Sequence, residues 1–398
     1  MKRSTRSTPL RALLAALPLA ALLAACGGGG GTDDSGTGTM RAAMTDAPAC
    51  GYEAVNVTVQ KVRVHQSASA ADGDAGWQEV VLNPARRVDL LTLTNGVLEE
   101  LGQTVLPAGS YTQVRLQLAS NATTPHANTV VTAGGGEVDL DTPSGMQSGL
   151  KMNADLTVEA GKVADLVLDF DACKSIVKAG NSGRFNLKPV VRVLPRVMDA
   201  GLRVVGYVAP ALANTGTQVS VQLNGVPVKS TPPDATGKFT LYPVPAGSYD
   251  LVVAANGRAT ATLTGVPVTA AAVTTVNAST APIDPPASPM RTASGTVVMA
   301  TTPIDATLHL SKAYTGGPTV EVAALPADAV SGAFTLAVPS GAPVKAAYVA
   351  GATTLAFTPD AAVPTGKYSL QAVGGGSVKT QALDLSTLDA LNLSISLP

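Results

Sequence analysis

The sequence predicts an all-β protein, built as tandem antiparallel β-sandwich domains behind a signal peptide and a flexible glycine-rich tether. Three observations carry that prediction. Apolar and polar residues alternate at period two in several segments, the pattern of strands with one buried face. Turn formers are abundant, with 39 Gly and 28 Pro, and only 14% of residues are charged, which suits short strands joined by tight turns. No stretch beyond the first 25 residues sustains a helical period.

The chain opens with a basic head, Lys2, Arg3, Arg6 and Arg11, and an apolar run over 12–25 broken only by Pro18. That is the layout of a secretory signal, and the run is shorter than the roughly 20 apolar residues a spanning helix needs. It ends in Leu23-Ala24-Ala25-Cys26, which resembles the bacterial lipobox. The resemblance implies that Cys26 takes a diacylglycerol and becomes the new N-terminus, after which two or three acyl chains give stable membrane anchoring. Residue 27 is Gly where aspartate would mark inner-membrane retention, so the expected location is the outer membrane. Four of the 27 basic residues precede Cys26, which leaves 23 against 28 acidic ones, a side-chain balance of −5 that argues against a nucleic-acid partner.

Residues 26–39 are lipid anchor and tether. The thirteen residues after Cys26 have nothing apolar to bury and reach about 20 Å as a flexible coil. With Cys26 lipidated, Cys50 and Cys173 remain, and an oxidising compartment pairs them. The closed loop exceeds a hundred residues, worth about 4–5 kcal/mol in the chain-entropy account. The three histidines, His65, His126 and His309, lack zinc-ligand spacing with either cysteine.

Strand alternation is clearest at Val55, Val57 and Val59, and its parity shifts to Val62 and Val64 across Gln60-Lys61, predicting a bulge or a meeting of two strands. Further buried faces are expected at Val114, Leu116 and Leu118; at Leu166, Leu168 and Phe170; and at Val219, Val221 and Leu223. Two echoes recur. Gly-x-Phe-x-Leu starts at Gly183, Gly237 and Gly332, and Pro-x-Gly-x-Tyr starts at Pro107, Pro245 and Pro364. They fit three sandwich-like units, over 40–198, 200–281 and 290–398, with 282–289 as a stiff proline-rich linker.

Residues 40–195 carry an ordered set of segments. These are Thr45-Asp46-Ala47-Pro48, Val55-Asn-Val-Thr-Val59, Trp77, Asp89-Leu90-Leu91, Leu106-Pro-Ala-Gly-Ser-Tyr-Thr-Gln-Val-Arg-Leu116, Pro143-Ser-Gly-Met-Gln-Ser-Gly-Leu-Lys151, Asp169-Phe-Asp171 and Leu187-Lys-Pro-Val190. Together they resemble the bacterial domain-of-unknown-function family 4382 (DUF4382). The resemblance implies an exported, often lipid-anchored protein and attaches no biochemical activity. Residues 202–281 resemble the carboxypeptidase regulatory-like domain, a transthyretin-like sandwich with a carbohydrate-binding-like fold. The residues that carry this are Gly206-Tyr-Val208, Val219-Ser-Val221, Gly237-Lys-Phe-Thr-Leu241 and Val244-Pro-Ala-Gly-Ser-Tyr249. That label describes a fold and assigns no sugar site.

Catalytic patterns are sparse. Ser148 and Ser175 each begin a Ser-x-x-Lys, yet the Ser-Asp-Asn and Lys-Thr-Gly partners of that chemistry are missing from the sequence. Nothing in the sequence sets a serine elbow near a histidine. Asp165, Asp169 and Asp171 share one strand face, which is either a solvated face or a calcium site with Asp169 and Asp171 as first candidates. Trp77 is either a core residue or a loop-edge platform for stacking a sugar or peptide. The expected function is therefore a non-enzymatic envelope lipoprotein that binds or scaffolds a glycan or an envelope protein, without a cofactor. The alternatives are an enzyme or enzyme accessory with an unrecognised site, and a structural spacer.

Overall fold

The computed structural model describes residues 36–46, 51–122, 125–196, 201–213, 216–362 and 364–398. The expected signal peptide over 1–25, Cys26 and Cys50 lie outside the described residues. Strands dominate, as the alternation predicts, and they form three successive sandwiches.

In the first sandwich, a four-stranded sheet runs in the order Val191–Arg196, Val163–Phe170, Thr37–Asp46 and Glu99–Pro107. It faces an eight-stranded sheet whose long central strand is Tyr52–His65. Met40, Met44, Val57, Leu116, Leu168 and Phe170 fill the space between. The parity shift in the central strand is a bulge: its pairing with both neighbours slips between Val59 and Lys61, and Gln60 is exposed. The bulge lets Val59 and Val62 both point inward although they are three residues apart.

Thr37, Gly38 and Thr39, expected in the tether, already belong to the first strand, where they pair with Pro107, Leu106 and Val105. Gly38 is there for close approach, since a Cβ at that position would fall 2.4 Å from the Glu159 carbonyl oxygen. A second difference lies in the strand Thr217–Leu223. Val219 and Val221 are buried as expected, but the pairing slips after Val221, so Gln222 turns inward and Leu223 outward.

The second sandwich packs the strands Lys238–Leu241, Val204–Tyr207 and Thr274–Thr275 against a six-stranded sheet. Two strands of that larger sheet, Val344–Ala347 and Thr358–Pro359, come from the C-terminal part of the chain. Val344 and Ala346 join the second core, so the chain leaves the third unit to extend its neighbour before returning. Residues 282–289 do not stand free as a linker. Ile283 is buried in the second core and its amide donates to the Tyr207 carbonyl, so apolar burial holds this segment on the sandwich surface.

The third sandwich has a three-stranded sheet centred on Met290–Val298 and a four-stranded sheet containing Ala306–Ala313 and Lys367–Gly374. Most pairings are antiparallel, with parallel ones where chain-distant strands meet, such as Thr37–Asp46 beside Val163–Phe170. The Gly-x-Phe-x-Leu echo has a common physical basis. Gly183, Gly237 and Gly332 all adopt positive φ, and Phe185, Phe239 and Phe334 are buried two residues later.

Candidate functional site

The strand Val163–Phe170 turns Leu166, Leu168 and Phe170 into the first core and leaves Asp165 and Asp169 on the opposite face. The sequence allows a solvated face there. The structure buries both carboxylates, and a residue of the second sandwich reaches Asp169. Arg41 grips Asp165 with two hydrogen bonds, 2.7 Å from Nε and 2.9 Å from Nη2. Lys229, on the edge strand Val226–Thr231 of the second sandwich, donates to Asp169. Arg192 Nη1 donates to the Val228 carbonyl at 2.8 Å. Burial pushes the Asp169 carboxyl up, against the opposing charge of Lys229.

Asp171 caps the short helix Ala172–Ser175, accepting the Lys174 amide at 3.1 Å, and also pairs with Lys174 Nζ at 3.2 Å. Lys174 Nζ lies 3.2 Å from Glu321 of the third sandwich, and Glu321 in turn meets His309 Nδ1 at 2.7 Å. Burial alone would raise the Glu321 carboxyl, yet the His309 hydrogen bond and the Lys174 charge bring it below its ordinary value. Burial pulls Lys174 down, and its two carboxylate partners more than reverse that. These groups line a cavity of about 360 Å³ shared by all three sandwiches. Asp169 and Asp171 thus each have a lysine as counter-ion, and no cluster of three or more metal-type ligands exists among the described residues.

A larger cleft of about 810 Å³ opens at the same junction. Tyr52, Lys178 and Asn181 line it from the first sandwich, Gln218 from the second, and Thr335 and Ala337 from the third. Cys173 reaches its wall from the second position of the helix Ala172–Ser175. The junction is pinned on several sides. Gln222 exchanges two 2.8 Å hydrogen bonds with the Glu321 backbone, and the Gly180 amide donates to Asp328 Oδ2 at 2.9 Å. Asn95 bridges to Thr231 at 2.8 Å and Thr240 at 3.1 Å.

Trp77 is half-buried and stands outside the hydrophobic cores, so its core reading does not hold. Its Nε1 donates to the Ala71 carbonyl at 2.9 Å, and the Arg63 and Arg115 guanidinium carbons lie 4.5 and 4.8 Å from its ring. The loop and two arginines position the ring, which lies apart from the junction cavities. Ser175 Oγ accepts the Val190 amide at 2.9 Å at the end of its helix, and Ser148 follows the helix Pro143–Gln147. His65 is held by Ala75 and Ser67, and His126 by Asp139.

Lys229, Lys174, Arg192 and Glu321 carry no signal in the sequence. Each sits in an ordinary strand, turn or short-helix context, and only docking between units brings them together. Asp46 belongs to the Thr45-Asp46-Ala47-Pro48 segment, which by itself gives it no role. It is wholly buried, and burial, then repulsion from Asp171, raises its carboxyl well above the ordinary range.

Residues 37–189 match the family described as "Domain of unknown function (DUF4382)". No curated protein matches the chain. Among solved structures, a C-terminal interface mutant of the type II cohesin–X-dockerin complex from Acetivibrio cellulolyticus is 28% identical over 21% of this chain, with a TM-score of 0.18. That alignment spans 56% of the solved chain. A streptococcal ancillary pilin is 10% identical, covering 91% of this chain and 99% of its own, with a TM-score of 0.16. The Corynebacterium diphtheriae major pilin SpaA is 12% identical, covering 90% and 99%, with a TM-score of 0.18.

Proposed function

We propose that this chain is a non-enzymatic lipoprotein of the bacterial outer membrane, anchored through Cys26, whose three sandwiches act as one binding or scaffold body. The observation that carries this reading is the junction cleft of about 810 Å³, walled by residues of all three units. A ligand site formed between units needs those units held in a fixed relation, and the buried ion pairs and backbone contacts supply that. The partner class is a glycan or an envelope protein. The second sandwich is read as a carboxypeptidase regulatory-like fold, and Cys50 as the partner of Cys173. Support for the pairing comes from the oxidising compartment that export implies, where two cysteines left after lipidation pair.

The site is tested with a photo-crosslinking residue placed in intact cells at Asn181 or Thr335, and at Lys379 as an exposed position away from the cleft. A discrete adduct from the two cleft positions alone is expected. Equal labelling at all three, or none, favours the spacer role. The anchor is tested by Cys26→Ala, which should move the protein out of the membrane fraction; unchanged partitioning removes the lipoprotein reading.

A further inference from the structure

Lys229 and Asp169 come from different sandwiches and are shut off from water, with side chains 1% and 6% exposed. Other lysine–aspartate pairs differ in this respect. Lys367–Asp384 is half-exposed on both sides, Lys188–Asp305 is exposed at the carboxylate, and Lys345 keeps 35% exposure beside Asp360. Burying two ions is costly, and their attraction returns that cost only in part. Passing one proton from the ammonium to the carboxylate removes both buried charges and leaves an amine and an acid, the pair that condenses.

A third group completes the site. Asp46 Oδ1 accepts the Ala172 amide at 3.0 Å, while Oδ2 is buried without a hydrogen-bond partner among the described residues. Lys229 Nζ lies 3.4 Å from the Asp46 backbone oxygen, which puts the amine at this residue. Burial, then repulsion from Asp171, raises the Asp46 carboxyl, which suits it to hold and pass on a proton beside the pair.

We propose that Lys229 and Asp169 are joined by an isopeptide bond that welds the second sandwich to the first, with Asp46 relaying the proton. Nζ of the neutral amine attacks Cγ of the Asp169 carboxylic acid. The C–N bond forms and the bond from Cγ to the hydroxyl oxygen breaks. One amine hydrogen passes through the Asp46 carboxyl to the departing hydroxyl, which leaves as water, and Asp46 ends protonated as it began. The reaction is a condensation and needs no oxidant or reductant. The amide replaces two buried charges with one neutral group.

Tryptic mapping of the denatured, reduced full chain tests the bond. The expected product is a branched peptide joining residues 163–174 to residues 204–238, lighter than their sum by one water and uncut after Lys229. Lys229→Arg keeps a cation at the site but cannot condense, and should give separate linear peptides. Asp46→Asn, shown to be folded by its cooperative melt, should leave most chains unlinked. Linear peptides from the unsubstituted protein overturn the proposal, and full linkage in folded Asp46→Asn overturns the role given to Asp46.

Discussion

The second and third sandwiches use the same Pro-x-Gly-x-Tyr turn and satisfy it with different side chains. In the second, Tyr249 Oη donates to the Pro245 carbonyl of its own turn at 2.8 Å, as Tyr111 does to Pro107 at 3.0 Å in the first. In the third, Tyr368 donates instead to Pro339, and Lys312 takes over the turn, its Nζ giving 2.9 Å hydrogen bonds to the Pro364 and Lys367 carbonyls. Lys312 is 1% exposed and lies 4.9 Å from the Tyr368 ring. A turn motif therefore sets backbone shape, while the donor that closes it is chosen by the surrounding core. The third unit has traded a neutral phenol for a buried ammonium.

That trade makes stability depend on pH in the third unit. Burial lowers Lys312 to about 8, against an ordinary lysine value of 10.5. Between those values the unfolded chain holds the proton and the folded chain does not, so stability rises with pH across that window. Tyr314 and Tyr368 are both raised by burial, so above about pH 10 the unfolded chain loses their protons first and stability falls again. Urea melts of the full chain at pH 7.5, 9 and 10 should show a gain of about 1–2 kcal/mol, allowing for solvent that still screens the site. Lys312→Met should abolish the gain, while leaving the Pro364 and Lys367 carbonyls without their donor. A flat profile in the unsubstituted protein breaks the contrast between the two units.

Much of the fold is legible because period-two alternation reports directly on which strand face is buried. The bulge at Gln60 shows in the sequence because it moves the valine parity. The slip after Val221 does not, because Leu223 extends the apolar pattern even though its side chain faces outward. The excursion of Val344–Ala347 into the second sheet is a long-range pairing that no local pattern encodes. The junction is the least legible part. Asp169 and Asp171 stand out as crowded carboxylates, but their counter-ions Lys229 and Lys174 look like solvated lysines until the sandwiches dock. Trp77 stands out for its rarity, and rarity says nothing of the arginines that flank it.

The smallest effect sharpens the comparison at single-turn resolution. Tyr249→Phe removes one hydrogen bond and should cost about 1 kcal/mol, and Tyr368→Phe about the same. The two substitutions should differ in where the loss is felt. In the second sandwich the phenol is what holds the Pro245 carbonyl, so amide exchange at Gly247 and its neighbours should quicken. In the third, Lys312 still holds both turn carbonyls, so exchange around Gly366 should stay as it was while the region near Pro339 loosens. Hydrogen exchange read by peptide mass at matched global stability separates these outcomes. Loosening of the 364–368 turn in Tyr368→Phe would mean that the tyrosine, and not the lysine, closes that turn after all.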